Sequence, residues 1–302
     1  MRPDWIDLDG TANTRDVGGL PTIDGRRTAS RRLLRSDSLQ DLRPADVRRL
    51  VDDFGVRTIV DLRAGIELAA EDPGPMTREP LVTVEHLSLF PQLDDHLKPL
   101  SERLPPVGRG FAGLYLGFLL QRPDSVLAAL RLIAHGDGVT VVHCTAGKDR
   151  TGTVIALALA EAGVERKAIV ADYAASAERY GAVLRRHARE AVKGGLANGL
   201  ASVAALMHSP RAVTMERFLD ALAEQEGGVS AWLQEQGWTA ADRAALHRRL
   251  LTNSWPSVAP FDGRANGRSP RPVRCKYFSP DRSINSSKTS GTWQEIASGD
   301  GK

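Results

Sequence analysis

Apolar residues along this 302-residue chain fall into two recurring patterns. Short, β-branched or alternating runs at Thr58 to Leu62, Leu81 to Leu89 and Val139 to His143 read as strands; the last is continuous enough to be buried on both faces. Longer stretches between them read as helices, the one after Gly152 being long, apolar and Ala/Leu-rich. They predict helices at Pro44 to Phe54, Phe111 to Leu120, Pro123 to Ala134 and Thr153 to Ala160. Pro44 suits a first helical turn and Gly163 a helix C-terminus. The alternation predicts an α/β architecture, with a central, mostly parallel sheet flanked by helices.

Beyond Gly163 the pattern is helical: Arg166 to Tyr180, Ala182 to Ala191, Val203 to Met207, Met215 to Glu226, Val229 to Gln236 and Ala240 to Leu251. Gly194-Gly195 and Gly199 interrupt this run. The stretch from Gly181 to Arg211 is read either as a lid over a cleft or as ordinary packing on the sheet. From Pro256 the sequence turns to Ser, Pro, Arg, Gly and Asn, which cannot bury enough apolar surface to order itself. Residues 1–255 are thus expected to fold as one unit and 256–302 to form a disordered tail.

Composition narrows the class. At 42% hydrophobic the chain can bury one sizeable core. No run approaches the ~18 apolar residues of a membrane span. The charged start Met1-Arg2-Pro3-Asp4-Trp5 leads into no apolar stretch, so a secretory leader is not expected. A cytoplasmic location is expected, with export by another route left open. The net charge of +3 is carried by dispersed arginines, which argues against nucleic acid as partner. Two cysteines, one in the polar tail, do not make a disulfide framework.

The chemistry concentrates in His143-Cys144-Thr145-Ala146-Gly147-Lys148-Asp149-Arg150-Thr151-Gly152, between the strand ending at His143 and the helix that follows. Amides converging in such a loop, at a helix N-terminus, form an anion cradle and favour a thiolate over a thiol. Thr145, Ala146, Gly147, Lys148, Asp149 and Arg150 are therefore the expected phosphate-binding residues, with Gly147 supplying backbone freedom. Arg150 can return its guanidinium fork to two phosphoryl oxygens. Cys144 is the expected nucleophile, tuned by the preceding His143 and by the Thr151 hydroxyl, placed to donate to its sulfur. No metal or cofactor is required. The second cysteine serves as a control, because Cys275 has Asp281 where Cys144 has Arg150, and no strand or helix around it.

This ten-residue stretch resembles the signature of the protein tyrosine phosphatase superfamily, and its Gly-Lys-Asp-Arg-Thr-Gly ending resembles the bacterial tyrosine/lipid-type branch. Asn13-Thr14-Arg15-Asp16-Val17-Gly18-Gly19 is similar to that branch's N-terminal segment, with Thr14 in place of an aromatic residue. Leu33 to Leu39 and Ile59 to Arg63 are similar too, so the likeness runs over about residues 5 to 250. It implies a metal-independent phosphatase with Cys144 as nucleophile and Arg150 as phosphate clamp. The substrate it implies is a phosphotyrosine protein, with phosphoserine, phosphothreonine or a phosphoinositide as further options; no obligate partner is implied.

The proton donor stays open between Asp149, inside the cradle, and Asp94 or Asp95, in the loop after the Leu81 to Leu89 run. Lys148 and Arg150 beside it would lower the pKa of Asp149, a handicap for an acid. Lys148 is expected to add positive charge at the mouth of the cradle. Asp61 and Arg63 read as a structural salt bridge or as ligand-facing groups, and Arg15-Asp16 as a tie between the N-terminal segment and the body. Two other functions compete: a phospho-ligand binding module without turnover, and sulfur transfer or arsenate reduction through the same thiolate. Sulfur carriers need no arginine clamp, and an arsenate reductase needs a second thiol, for which Cys275 is poorly placed.

Overall fold

In the computed structural model, residues 2–90, 111–194, 208–224 and 227–252 are described. Six strands form one sheet: β1 (Asp4–Trp5), β2 (Arg15–Asp16), β3 (Leu33–Ser36), β4 (Val56–Asp61), β5 (Thr83–His86) and β6 (Val139–His143). Their spatial order is β1-β2-β3-β6-β4-β5. The four strands from β3 to β5 run parallel, while β1 and β2 add an antiparallel margin. β6 is last in sequence but lies between β3 and β4, which makes it the switch point where an α/β sheet places its ligands.

Period-two alternation splits the core into two layers. Leu34, Ile59 and Val141 point to one face, packing with Leu50, Val51 and Met76. Leu33, Val60 and Val142 point to the other, larger face. The smaller face is covered by α1 (Pro44–Arg48), whose C-terminal end widens to a π-helical turn over Arg49–Asp53. A short helix, α2 (Gly65–Ala70), follows β4. The larger face carries α3 (Phe111–Gln121), α4 (Pro123–His135) and α5 (Asp149–Glu161).

α5 closes as anticipated. Gly163 takes φ +76°, and the amides of Gly163 and Val164 reach back to the carbonyls of Ala160 and Leu159 at 3.0 and 2.9 Å. The rest of the helical layer is α6 (Arg166–Gly194), α7 (Ala212–Ala223), α8 (Gly228–Glu235) and α9 (Ala240–Leu250). Glu161 stitches it together from a buried position, accepting from Trp238 Nε1 (3.1 Å), Arg243 Nε (2.6 Å) and Ser230 Oγ (2.6 Å).

Two of the observed elements depart from expectation. The strand anticipated over Leu81 to Leu89 is shorter, Thr83–His86, at the sheet edge. The helix anticipated at Ala182 to Ala191 is not separate: α6 runs unbroken through Gly181 for 29 residues. An isolated glycine costs a helix only about 1 kcal/mol, and packing along α6 outweighs it. The predicted Val203 to Met207 helix, the tail from Pro256, and Asp94 and Asp95 lie outside the described residues.

Candidate active site

Strand register assembles the site. Ser36 of β3 and Asp61 of β4 both pair with His143 of β6, and His86 of β5 pairs with Asp61. The four parallel strands therefore end on one line, and the chain leaving each contributes to the same place: Asp37 and Ser38, Cys144 to Arg150, Leu62 to Glu67, and Leu87 to Phe90. Cys144 is the first residue beyond the central strand, and Arg150 is the second residue of α5. All residues from His143 to Thr153 are buried, Cys144 with 2% of its surface exposed.

The cradle is shaped from behind, through its carbonyls. Cys144 O lies 3.4 Å from His143 Nδ1, and Thr145 O accepts from Ser38 N (3.0 Å) and faces His187 Nε2 (3.2 Å). Asn13 Nδ2 donates to the Ala146 and Gly147 carbonyls at 3.0 and 3.2 Å, and Arg35 Nη2 donates to Gly147 O at 2.8 Å. In a trans peptide the N–H points opposite to the C=O. Four consecutive carbonyls held outward thus turn the N–H groups of Thr145, Ala146, Gly147 and Lys148 to the other side. Gly147 is required here: its φ is +65°, and a Cβ would run into the Ser36 carbonyl.

Asn13 and Arg35 are themselves fixed by buried charges. Arg15 donates to Asn13 Oδ1 (2.7 Å) and, with Arg35, grips Asp172 of α6 at 2.9 and 2.5 Å. Burial and the nearby Arg35 lower the Arg15 pKa to about 10, so Arg15 still carries its charge at neutral pH. Farther along α6, Val183 packs on Ala146, and Arg186 pairs with Asp37 at 2.9 Å. Val183, Arg186 and His187, at the start of the stretch considered as a lid, thus pack against the cradle wall.

Arg150 is gripped by Glu67 of α2. Its Nη2 donates to Glu67 Oε1 (2.9 Å) and Thr145 Oγ1 (3.1 Å), its Nη1 to Glu67 Oε2, and its guanidinium lies 5.3 Å from the Phe90 ring centre. Burial opposes both charges. Each nevertheless stabilises the other, so the Glu67 pKa falls to about 2 and that of Arg150 rises. Glu67 went unrecognised in the sequence. Its signal was faint: an acid at the third position of a helix, where its carboxylate caps the Ala64 amide at 2.6 Å.

Asp149 is buried and ringed by donors. Tyr115 of α3 donates to its Oδ1 at 2.5 Å, His208 Nε2 lies 3.3 Å from the same oxygen, and Lys148 Nζ lies 3.5 Å from Oδ2. Burial would raise its pKa, but these neighbours reverse the direction and lower it. Lys148 does not stand at an open mouth. It is 2% exposed, with Nζ donating to the His208 carbonyl at 2.7 Å, and its pKa is lowered by burial. Neither Tyr115 nor His208 carried a sequence signal, because both reach the site from other elements.

Asp61 and Arg63 form a buried salt bridge at 2.7 Å. Burial would raise the Asp61 pKa, but His143 (3.7 Å away) and Arg63 hold it at about 2. Burial lowers the His143 pKa. The Thr151 hydroxyl is buried and makes no hydrogen bond within the described structure, so the anticipated donation to the Cys144 sulfur is not formed here. Among the described residues, no cluster of three or more His, Cys, Asp or Glu could hold a metal ion, and no helix is long and apolar enough to cross a membrane.

A buried thiol ending the central parallel strand, an outward-tied loop and an arginine in the first turn of the next helix make up the cysteine-phosphatase fold. The chain belongs to the tyrosine phosphatase family, whose family model matches residues 6–252. It is 33% identical over 172 residues to a Cupriavidus necator protein provisionally named a tyrosine-protein phosphatase, covering 57% of this chain and 63% of that one. It is 33% identical over 144 residues to a tyrosine-protein phosphatase of Nostoc commune, covering 45% and 48%. Over 196 residues it is 33% identical to the triple specificity protein phosphatase PtpB of Mycobacterium tuberculosis, covering 55% and 67%. The chain thus spans about half to two thirds of the curated relatives it matches.

Proposed function

We propose that this protein is a metal-independent phosphatase that hydrolyses phosphomonoesters through a cysteinyl-phosphate, with phosphotyrosine proteins as the leading substrate class. The observation that carries the proposal is the set of four cradle carbonyls tied outward around one buried thiol, with Arg150 at the far end. The Cys144 thiolate attacks phosphorus: an S–P bond forms, the ester P–O bond breaks, and the leaving oxygen takes a proton. Water then attacks phosphorus, the S–P bond breaks, inorganic phosphate departs and the thiolate returns. The N–H groups of residues 145–148 and the Arg150 guanidinium face the equatorial oxygens in both steps. The mycobacterial relative is named a triple specificity protein phosphatase, which supports activity on more than one phosphoester; phosphoserine, phosphothreonine and phosphoinositides are the further candidates. The free thiol suits a reducing compartment such as the cytoplasm.

Asp149 is the proposed proton carrier, acid to the leaving oxygen in the first step and base to water in the second. Its lowered pKa leaves it ionised at neutral pH. Turnover of esters with poor leaving groups therefore rises as the pH falls and the carboxyl gains its proton. Phe90 packs over the Arg150 guanidinium, and His208 contacts Lys148 and Asp149.

The test is phosphate release from an aryl phosphate, a phosphoserine peptide and a phosphoinositide in EDTA, for wild type and Cys144→Ser. Wild type should turn over the aryl phosphate in EDTA, and the serine variant should lose at least ~10³-fold. Full activity in Cys144→Ser, or a requirement for added metal, refutes the mechanism.

A further inference from the structure

Tyr115 and Tyr173 form a buried pair that the nucleophile and clamp do not explain. Their hydroxyl oxygens are 2.7 Å apart, and Tyr115 is 2.5 Å from Asp149 Oδ1. A phenol has one proton and a carboxylate only accepts, so the Tyr115 proton points to Asp149 and Tyr173 must donate to Tyr115. Thr214 of α7 extends the chain through its hydrogen bond to Tyr173. Gly152 leaves the notch this requires, because a Cβ there would lie 2.8 Å from the Tyr173 ring. Helices α3, α5, α6 and α7 thus converge to aim a line of hydroxyls at one carboxylate oxygen. Burial and the neighbouring Asp149 charge raise the pKa of both phenols, so they remain neutral donors through the physiological range.

We infer that Tyr115 is a positioning residue for Asp149: its phenol aims the carboxylate and helps set the pH range over which that carboxylate carries a proton. The inference rests on the reading above in which Asp149 exchanges a proton with the phosphoester. Among the described residues, the other charged or titratable groups around Asp149 are Lys148 and Arg150 on its own stretch, Tyr173 and Tyr180 on α6, His208 ahead of α7, and Cys144. Lys148 and His208 stabilise the anion as Tyr115 does, and they also bond each other. Tyr115 has the shortest contact, and its ring is locked by Phe218 and Phe118, with centroids 5.8 and 6.1 Å away. That packing does not use the hydroxyl, so Tyr115→Phe removes the hydrogen bonds to Asp149 and from Tyr173 and keeps the ring.

The experiment follows the Asp149 carboxyl carbon by ¹³C NMR titration in Cys144→Ser protein, with Asp149→Asn identifying the signal. Losing a donor to the anion destabilises it, so Tyr115→Phe should raise the titration midpoint by about one pH unit. Tyr173→Phe should raise it less. In the active enzyme, the alkaline limb of kcat for phenyl phosphate should move up by the same amount with Tyr115→Phe. An unmoved or lowered midpoint, or a kcat that falls equally at every pH with no shift of the limb, overturns the inference. If wild type releases no phosphate, the proposed function fails while the NMR titration still decides the role of Tyr115.

Discussion

Glu67 shows how much one side chain decides at this site. A guanidinium buried without a counter-ion would be costly, and Glu67 both neutralises Arg150 and sets its orientation. Glu67→Gln should cost about 3 kcal/mol in urea unfolding at pH 7, the scale of breaking a buried pair. Aryl phosphate turnover should fall about a hundredfold as Arg150 loses its aim. The pair also gives acid stability a definite window. With the folded Glu67 pKa at about 2 and an ordinary value near 4.5, its contribution is full above pH 4.5 and lost as pH falls towards 2. The slope of stability against pH in that window should flatten in Glu67→Gln, and an unchanged slope would assign the acid sensitivity to other carboxylates. Of the residues around Arg150, sequence reasoning reached Thr145 but not Glu67 or Phe90, since only the β4 and β5 connections bring those two across.

Elements matter here mainly by what they hold behind the cradle. β2, β3 and α6 meet at Asp172, the shared counter-ion of Arg15 and Arg35. Asp172→Asn leaves two buried guanidinium groups facing each other and should cost about 3–5 kcal/mol in denaturant unfolding. Asp124→Asn, removing the exposed partner of Arg122, should cost less than about 1 kcal/mol and serves as the control. Equal costs for the two would show that burial does not govern this network. The sequence made β4, β6 and α5 legible because their periodicity is strong and their ends are marked. It missed the continuity of α6, because Gly181 reads as a break locally while long-range packing on Ala146 and Asp37 carries the helix through.

At the scale of the whole molecule, the C-terminal helices are anchored rather than appended. Ala29 N donates to Leu250 O at 2.7 Å, Thr252 N donates to Arg27 O at 2.9 Å, and Glu161 binds Trp238 and Arg243. A chain ending at Thr252 should keep its thermal midpoint within about 2 °C of the full chain, since little apolar surface lies beyond that point. A chain ending at Gly237 strips α9 from α4 and from Glu161 and should fail to fold. A midpoint that falls sharply in the first truncation would place the last 50 residues in the folded unit.

The sequence by itself determined the sheet-and-helix class, the strand–loop–helix unit and the places of Cys144 and Arg150 at the two ends of its loop, because those signals are local: period-two and period-3.6 patterns, a glycine, a thiol and a guanidinium at fixed spacing. Only the tertiary structure decided what surrounds them. Asn13 and Arg35 turn the loop amides, Glu67 aims Arg150, Tyr115 grips Asp149, and the Lys148 side chain is buried instead of facing solvent. The physical reason is shared. Each of these contacts joins residues far apart in the chain, and its strength comes from burial, which depends on how the layers pack and leaves no periodic trace in the residues that make it.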